Sequence, residues 1–113
     1  MTVAELMQKI DGALCTARTP VDREILSGCV CDLLSYVMAH AKQGAAWVTV
    51  QTHMNVVAVA ELLDLACVIL PEGMTPEKAM LEKAEETGLP IISSGKNAFD
   101  IVGILCAHNV RGA

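Results

Sequence analysis

Residues 46–70, AWVTVQTHMNVVAVAELLDLACVIL, decide the fold. They read as a short β-branched strand over 46–50, a polar corner, an apolar helix and a second strand over 66–70. A helix joining two short strands is the usual connection between parallel neighbours in one sheet. The corner Gln51-Thr52-His53-Met54-Asn55 then falls at the carboxyl end of the first strand. That edge is where open α/β sheets tend to bind ligands.

Working outward, the same unit recurs on both sides. Upstream, residues 29–31 form a small strand, Asp32 is a candidate N-cap, and Leu33, Leu34, Val37, Met38 and Ala41 make an apolar stripe ended by Gly44. Downstream, residues 71–74 are a turn, Thr75 and Pro76 open a helix that runs to Thr87, and Gly88 and Pro90 close it. A fourth unit follows: a strand over 90–93, the turn Ser94-Gly95-Lys96-Asn97, and a helix facing inward with Ala98, Ile101, Val102, Leu105 and Cys106. At the start, Thr2-Val3-Ala4-Glu5 has capping-box form, with Val3, Leu6, Met7 and Ile10 at helical spacing and a short strand over 13–16 beyond Gly12. Four strand-helix units with short loops predict an α/β fold: a mostly parallel β-sheet with helices on both faces, and the first helix and strand added at an edge.

Composition narrows the function classes. A chain of 113 residues is expected to be a single domain, and at 53% hydrophobic but only 3% aromatic its core is aliphatic. Net charge is −5 and no run of Lys or Arg occurs, which argues against nucleic acid. Mean hydropathy is +0.46, yet Glu61 and Asp64 interrupt the longest apolar stretch and residues 2–10 lack signal-peptide form. No membrane association and a cytoplasmic location are therefore expected. Cys15, Cys29, Cys31, Cys67 and Cys106 are odd in number and irregularly spaced, so they are expected to be buried reduced thiols and not metal ligands. Thiol redox sensing by Cys29 and Cys31 is the alternative.

With parallel strands, the carboxyl ends gather Asp32, Gln51, Thr52, His53, Asn55, Glu72, Gly73, Ser94 and Asn97. Helix N-termini at such turns suit a phosphate or carboxylate, so the expected ligand is small and anionic. Asp32, Thr52, Asn55, Ser94 and Asn97 are equally the residue types that cap helices, and Glu72-Gly73 is equally a turn. Gln51 and His53 are harder to explain that way. No GxxxxGK[ST] or GxGxxG is present, and Cys31 or Cys67 beside His53 would be a buried thiol with little thiolate. No catalytic residue, metal site or cofactor is expected. His40 and His108 sit near helix C-terminal ends, where a cation is favoured.

The segments VCDLLSYVMAHAK, QTHMNVVAVA and GLPIIS carry a resemblance, over Gly28 to Leu105 within a domain core of residues 28–108, to the DRTGG domain family. That family includes small stand-alone bacterial proteins and modules attached to CBS-domain pyrophosphatases and phosphate acetyltransferases. The resemblance implies the fold of the HPr kinase/phosphorylase N-terminal domain, a regulatory or accessory role without catalysis, and a homodimer. It also implies adenine nucleotide as the first ligand to test, with hydrogenase or NADH-linked electron-transfer subunits as partners. The Asp-Arg of the family's motif falls near Thr52-His53, and its Thr-Gly-Gly falls on Pro71-Glu72-Gly73. The expected function is a non-enzymatic sensor or adaptor working through the carboxyl edge. The alternative is a ligand-free interaction scaffold of a redox complex.

Overall fold

The apolar runs at the centre of the chain become neighbouring parallel strands, with Ala46 opposite Cys67 and Val48 opposite Ile69. The computed structural model describes residues 1–112. Its elements are α1 (Val3–Lys9), β1 (Ala13–Leu14), β2 (Ser27–Val30), α2 (Leu34–His40), β3 (Ala45–Val48), α3 (Asn55–Leu63), β4 (Cys67–Leu70), α4 (Lys78–Thr87), β5 (Ile91–Ser93) and α5 (Ala98–Ala107). One sheet holds all five strands in the order β1-β5-β4-β3-β2. β2 to β5 run parallel, and β1 lies antiparallel on the outer side of β5.

Each crossover steps one place in the same direction along the sheet. With right-handed connections, α2, α3 and α4 must then cover one face. The buried contacts agree: Val37, Trp47, Val57, Val68, Met80 and Ile91 belong to one apolar cluster. Leu6 and Ile10 join Val48, Ile69, Ile101 and Leu105 in the other, which places α1 and α5 on the opposite face. Each fully buried Val, Leu or Ile contributes about 1.5–3 kcal/mol, so both layers are needed. β3 and β4 are buried along their whole length, whereas β2 is an edge strand, half open to solvent. The mostly parallel sheet with helices on both faces is thus what the sequence leads one to expect.

Local signals hold to different degrees. Thr2 and Glu5 form the capping box in full, and Gly88 ends α4 with a left-handed φ of 75°. The helix expected from Pro76 begins only at Lys78, with Glu77 as N-cap. The Glu77 N–H is held by the Thr52 carbonyl at 3.0 Å, which keeps the chain extended there. Asp32 does not cap α2 either. Leu33 takes the N-cap place without a side-chain bond, because the Asp32 carboxylate is engaged by β3. Gly44 lies at φ +80° at the entry to β3, where a Cβ would come within 2.6 Å of the Leu26 side chain.

Candidate functional site

The carboxyl ends of the parallel strands lie along one edge, and the expected residues occupy two stretches of it. At the β2–β3 end, Asp32 Oδ1 accepts from the buried Thr49 hydroxyl at 2.8 Å and from the Val50 N–H at 2.9 Å. Gln51 Nε2 donates to the Asp32 carbonyl at 3.0 Å. These bonds tie the two strand ends together. His53 Nδ1 accepts the Asn55 N–H at 3.2 Å and so acts as the cap that Met54, the N-cap residue of α3, has no oxygen to provide. The His53 ring is exposed, and with Nδ1 accepting it carries its proton on Nε2 as a donor to the outside. The Thr52 hydroxyl reaches Glu77 Oε2 at 3.5 Å, and the Asn55 side chain opens α3 in solvent.

Around this corner stand exposed apolar side chains. Val30, Leu33, Val50 and Met54 are all well exposed, although they flank the end of the sheet. Pattern reading missed them, as it missed Thr49, whose buried hydroxyl anchors Asp32. The available signal was that the apolar alternation continues through Val50, past the last laddered residue of β3 at Val48.

At the β4–β5 end, α4 leaves toward one face and α5 toward the other, the divergence that opens a crevice in many α/β sheets. Here backbone bonds bridge it. Glu72 N–H donates to the Lys96 carbonyl and Gly73 N–H to the Ser94 carbonyl, both at 2.8 Å, and the Ser93 hydroxyl donates to Met74 O at 2.7 Å. Glu72 and Gly73 lie at φ 58° and 71°, and Met74 N–H closes onto Pro71 O at 3.1 Å. Two consecutive left-handed residues in a closed turn define type I′. Glycine suits both positions, so a Glu at the first holds its carboxylate on the rim against a backbone preference of about 1 kcal/mol.

Ser94 and Asn97 work inward. Ser94 is only 1% exposed; its hydroxyl donates to Ile10 O at 2.7 Å and accepts from Lys96 N–H at 3.2 Å. Asn97 caps α5 by accepting the Asp100 N–H at 2.8 Å.

None of the nine expected site residues lines the hollows of about 170, 150 and 160 Å³ in the surface. The first lies beside Arg23 and Asp64 at the opposite edge of the sheet. There hydrogen bonds from Arg23 and Gln43 hold the Asp64 carboxyl below its usual range. The other two flank the edge strand β2.

All five cysteines are free thiols, but only Cys67 is buried as expected: Cys15, Cys29 and Cys31 are half-buried, and Cys106 faces solvent on α5 instead of inward. Burial pushes Cys15 and Cys29 up from the ordinary thiol value, with the neighbouring Cys31 adding to the effect at Cys29, and burial, opposed in part by the charge of Arg23, takes Cys67 up to about 12. Among the described residues no group of three or more His, Cys, Asp or Glu is placed to hold a metal ion, and no helix is long and apolar enough to cross a membrane.

A three-layer α/β unit whose functional edge lies beyond parallel strands is a common architecture, and the chain can be placed within it. The DRTGG domain model matches residues 5–107, so the chain belongs to the DRTGG domain family. The match takes in most of α1 and all of β1 as well as the later units that carry the resemblance in the sequence. The structure is similar to a crystal structure of the CBS and DRTGG domains of the regulatory region of Clostridium perfringens pyrophosphatase, complexed with its activator diadenosine tetraphosphate. The TM-score is 0.70 at 13% identity, over 92% of this chain and 45% of that one. The likeness establishes the fold, and this chain spans less than half of that region. No curated protein matches the chain.

Proposed function

We propose that this domain is a non-enzymatic regulatory module whose working surface is the β2–β3 end of the carboxyl rim. Its ligand is a small anion, adenine nucleotide being the class to test first. The observation that carries this is the corner itself: an exposed His53 donor, the Thr52 hydroxyl and the Asn55 side chain at the start of α3, all on the positive end of the helix dipole. The activator on the related pyrophosphatase region supports the nucleotide class. Thermal unfolding with a panel of adenine nucleotides, dinucleotides and phosphates tests it. A ligand at 100 times its Kd stabilises by about 2.7 kcal/mol, roughly a 10 °C rise in Tm, and Asn55→Ala removes most of that rise. Melting curves unmoved by the whole panel would overturn the nucleotide reading.

One observation favours a second reading, an interaction scaffold without ligand. The three hollows lie away from the corner, and Val30, Leu33, Val50 and Met54 beside it form an exposed apolar surface suited to a protein. The occupant would be a second copy in a homodimer or, as the family resemblance implies, a hydrogenase or NADH-linked electron-transfer subunit. Sedimentation at micromolar concentration separates these. A dimer that Leu33→Ser dissociates supports self-association, and a monomer at every concentration rejects it.

A further inference from the structure

We propose that two copies of this chain associate through the outer face of α5, the Phe99 ring of each copy entering the apolar hollow between β2 and α5 of the other. The inference is independent of the nucleotide reading and leaves the rim open to its ligand. It places the second copy on α5 and not at the Leu33 surface.

The make-up of α5 is the first reason. Asp100 is the one charged residue in AFDIVGILCA, and Ile101 and Leu105 are the buried ones. A helix that is apolar almost all round belongs in an interior. At about 100° of rotation per residue, the side of α5 opposite Ile101 and Leu105 nevertheless carries Phe99, Gly103, Cys106 and Ala107, all of them exposed. Phe99 is 87% exposed, more than any other large apolar side chain among the described residues.

The hollow is the second reason. On this side of the sheet only α1 and α5 cover five strands, whereas α2, α3 and α4 cover the other, so the flank of the edge strand β2 is thinly packed. A hollow of about 150 Å³ remains there, with Val30, Val102, Leu105, Cys106 and Val110 in its walls and Gly28 contributing no side chain to fill it. An apolar cavity of roughly this volume takes a benzene ring, which is what a phenylalanine side chain ends in. The chain's own Phe99 does not occupy it, being turned out to solvent.

A knob and a matching hole on one face of one chain are self-complementary, the condition for a two-fold interface. Antiparallel α5 helices related by an axis passing between Val102 and Gly103 set residue 99 of one copy opposite residue 106 of the other, at the mouth of the hollow. Both rings then dock at once. Gly103 lies beside that axis, and a Cβ there would meet no neighbouring atom within 4 Å among the described residues, so the two backbones can approach closely. Charge agrees with the antiparallel sense. Asp100, in the first turn, comes to the end of the partner helix where Arg111 Nη1 donates to the Cys106 carbonyl at 2.9 Å. A parallel pairing would set the two Asp100 carboxylates side by side.

Sedimentation of the full chain across micromolar concentrations tests the assignment, and a dimer is expected. Phe99→Ser should raise its dissociation constant roughly a thousandfold, because a two-fold interface loses the anchor twice, at about 30-fold each. Gly103→Leu favours the helix and meets open space in a single chain, so it should give a monomer with an unchanged circular dichroism spectrum. Leu33→Ser should leave the dimer intact. Phe99→Cys should form, under mild oxidation, a disulfide to the partner's Cys106 that Cys106→Ser abolishes; within one chain the two positions lie about 10 Å apart along the helix, too far to bridge. A monomer at every concentration would overturn the proposal, as would a dimer that tolerates both Phe99→Ser and Gly103→Leu. A dimer that Leu33→Ser dissociates and Phe99→Ser does not would overturn it in favour of the rim surface. None of these outcomes bears on the melting shift with nucleotide, which tests the rim separately.

Discussion

The two ends of the carboxyl rim are built from similar residue types and do different work. At the β4–β5 end, Ser94 is buried, Asn97 is a cap, and the backbone of Glu72 and Gly73 is bonded across to Lys96 and Ser94. At the β2–β3 end, Asp32 and Gln51 are engaged, yet His53 and Asn55 remain exposed beside a group of apolar side chains. The difference comes from where the chain goes next. After β5 the chain must change faces to form α5, and that turn is pinned by hydrogen bonds. After β3 it passes through residues 49–54 into α3, on the same face as its neighbours. A closed end and an open end thus arise from one sheet.

Substitutions can break or sharpen this contrast. The largest expected effect is at Ser94: Ser94→Ala leaves the buried Ile10 carbonyl and the Lys96 N–H without their partner and should cost about 2 kcal/mol in denaturant unfolding. A value near zero would mean that the β4–β5 end is not held by this bond. Glu72→Gly should act in the opposite direction, stabilising by about 1 kcal/mol, because glycine accepts φ 58° without strain. If stability falls instead, the Glu72 side chain has a structural task that its exposed position does not reveal. The smallest effect belongs to the open end, where Asn55→Ala should change stability by under about 0.5 kcal/mol while acting on ligand or partner binding. A large loss of stability there would erase the contrast between the two ends.

Much of the fold was legible because it depends on short-range pattern. The strand at 67–70 shows as a run of apolar residues, and the Thr2–Glu5 box and Gly88 mark helix ends by local chemistry that needs no tertiary partner. The rim was legible only as a set of positions. Parallel strands bring Asp32, His53, Glu72 and Ser94 to one edge, as expected, but whether each side chain points outward depends on bonds made across the chain. The Ser94 bond to Ile10 spans 84 residues and the Thr49 bond to Asp32 spans 17. Nothing in the local sequence of either serine or aspartate announces such a partner. The same holds for Asp32 and Thr75, whose capping signals were overridden when β3 engaged the Asp32 carboxylate and Thr52 drew in the Glu77 N–H.

The sequence by itself determined the α/β class, the parallel run of strands and the edge where their polar turns collect, since these follow from hydrophobic period and helix-end chemistry. Tertiary structure alone decided the strand order, the sealing of the β4–β5 end, the exposure of the apolar group around His53 and the hollow between β2 and α5. Those features come from pairings between residues far apart in the chain, which no local pattern encodes.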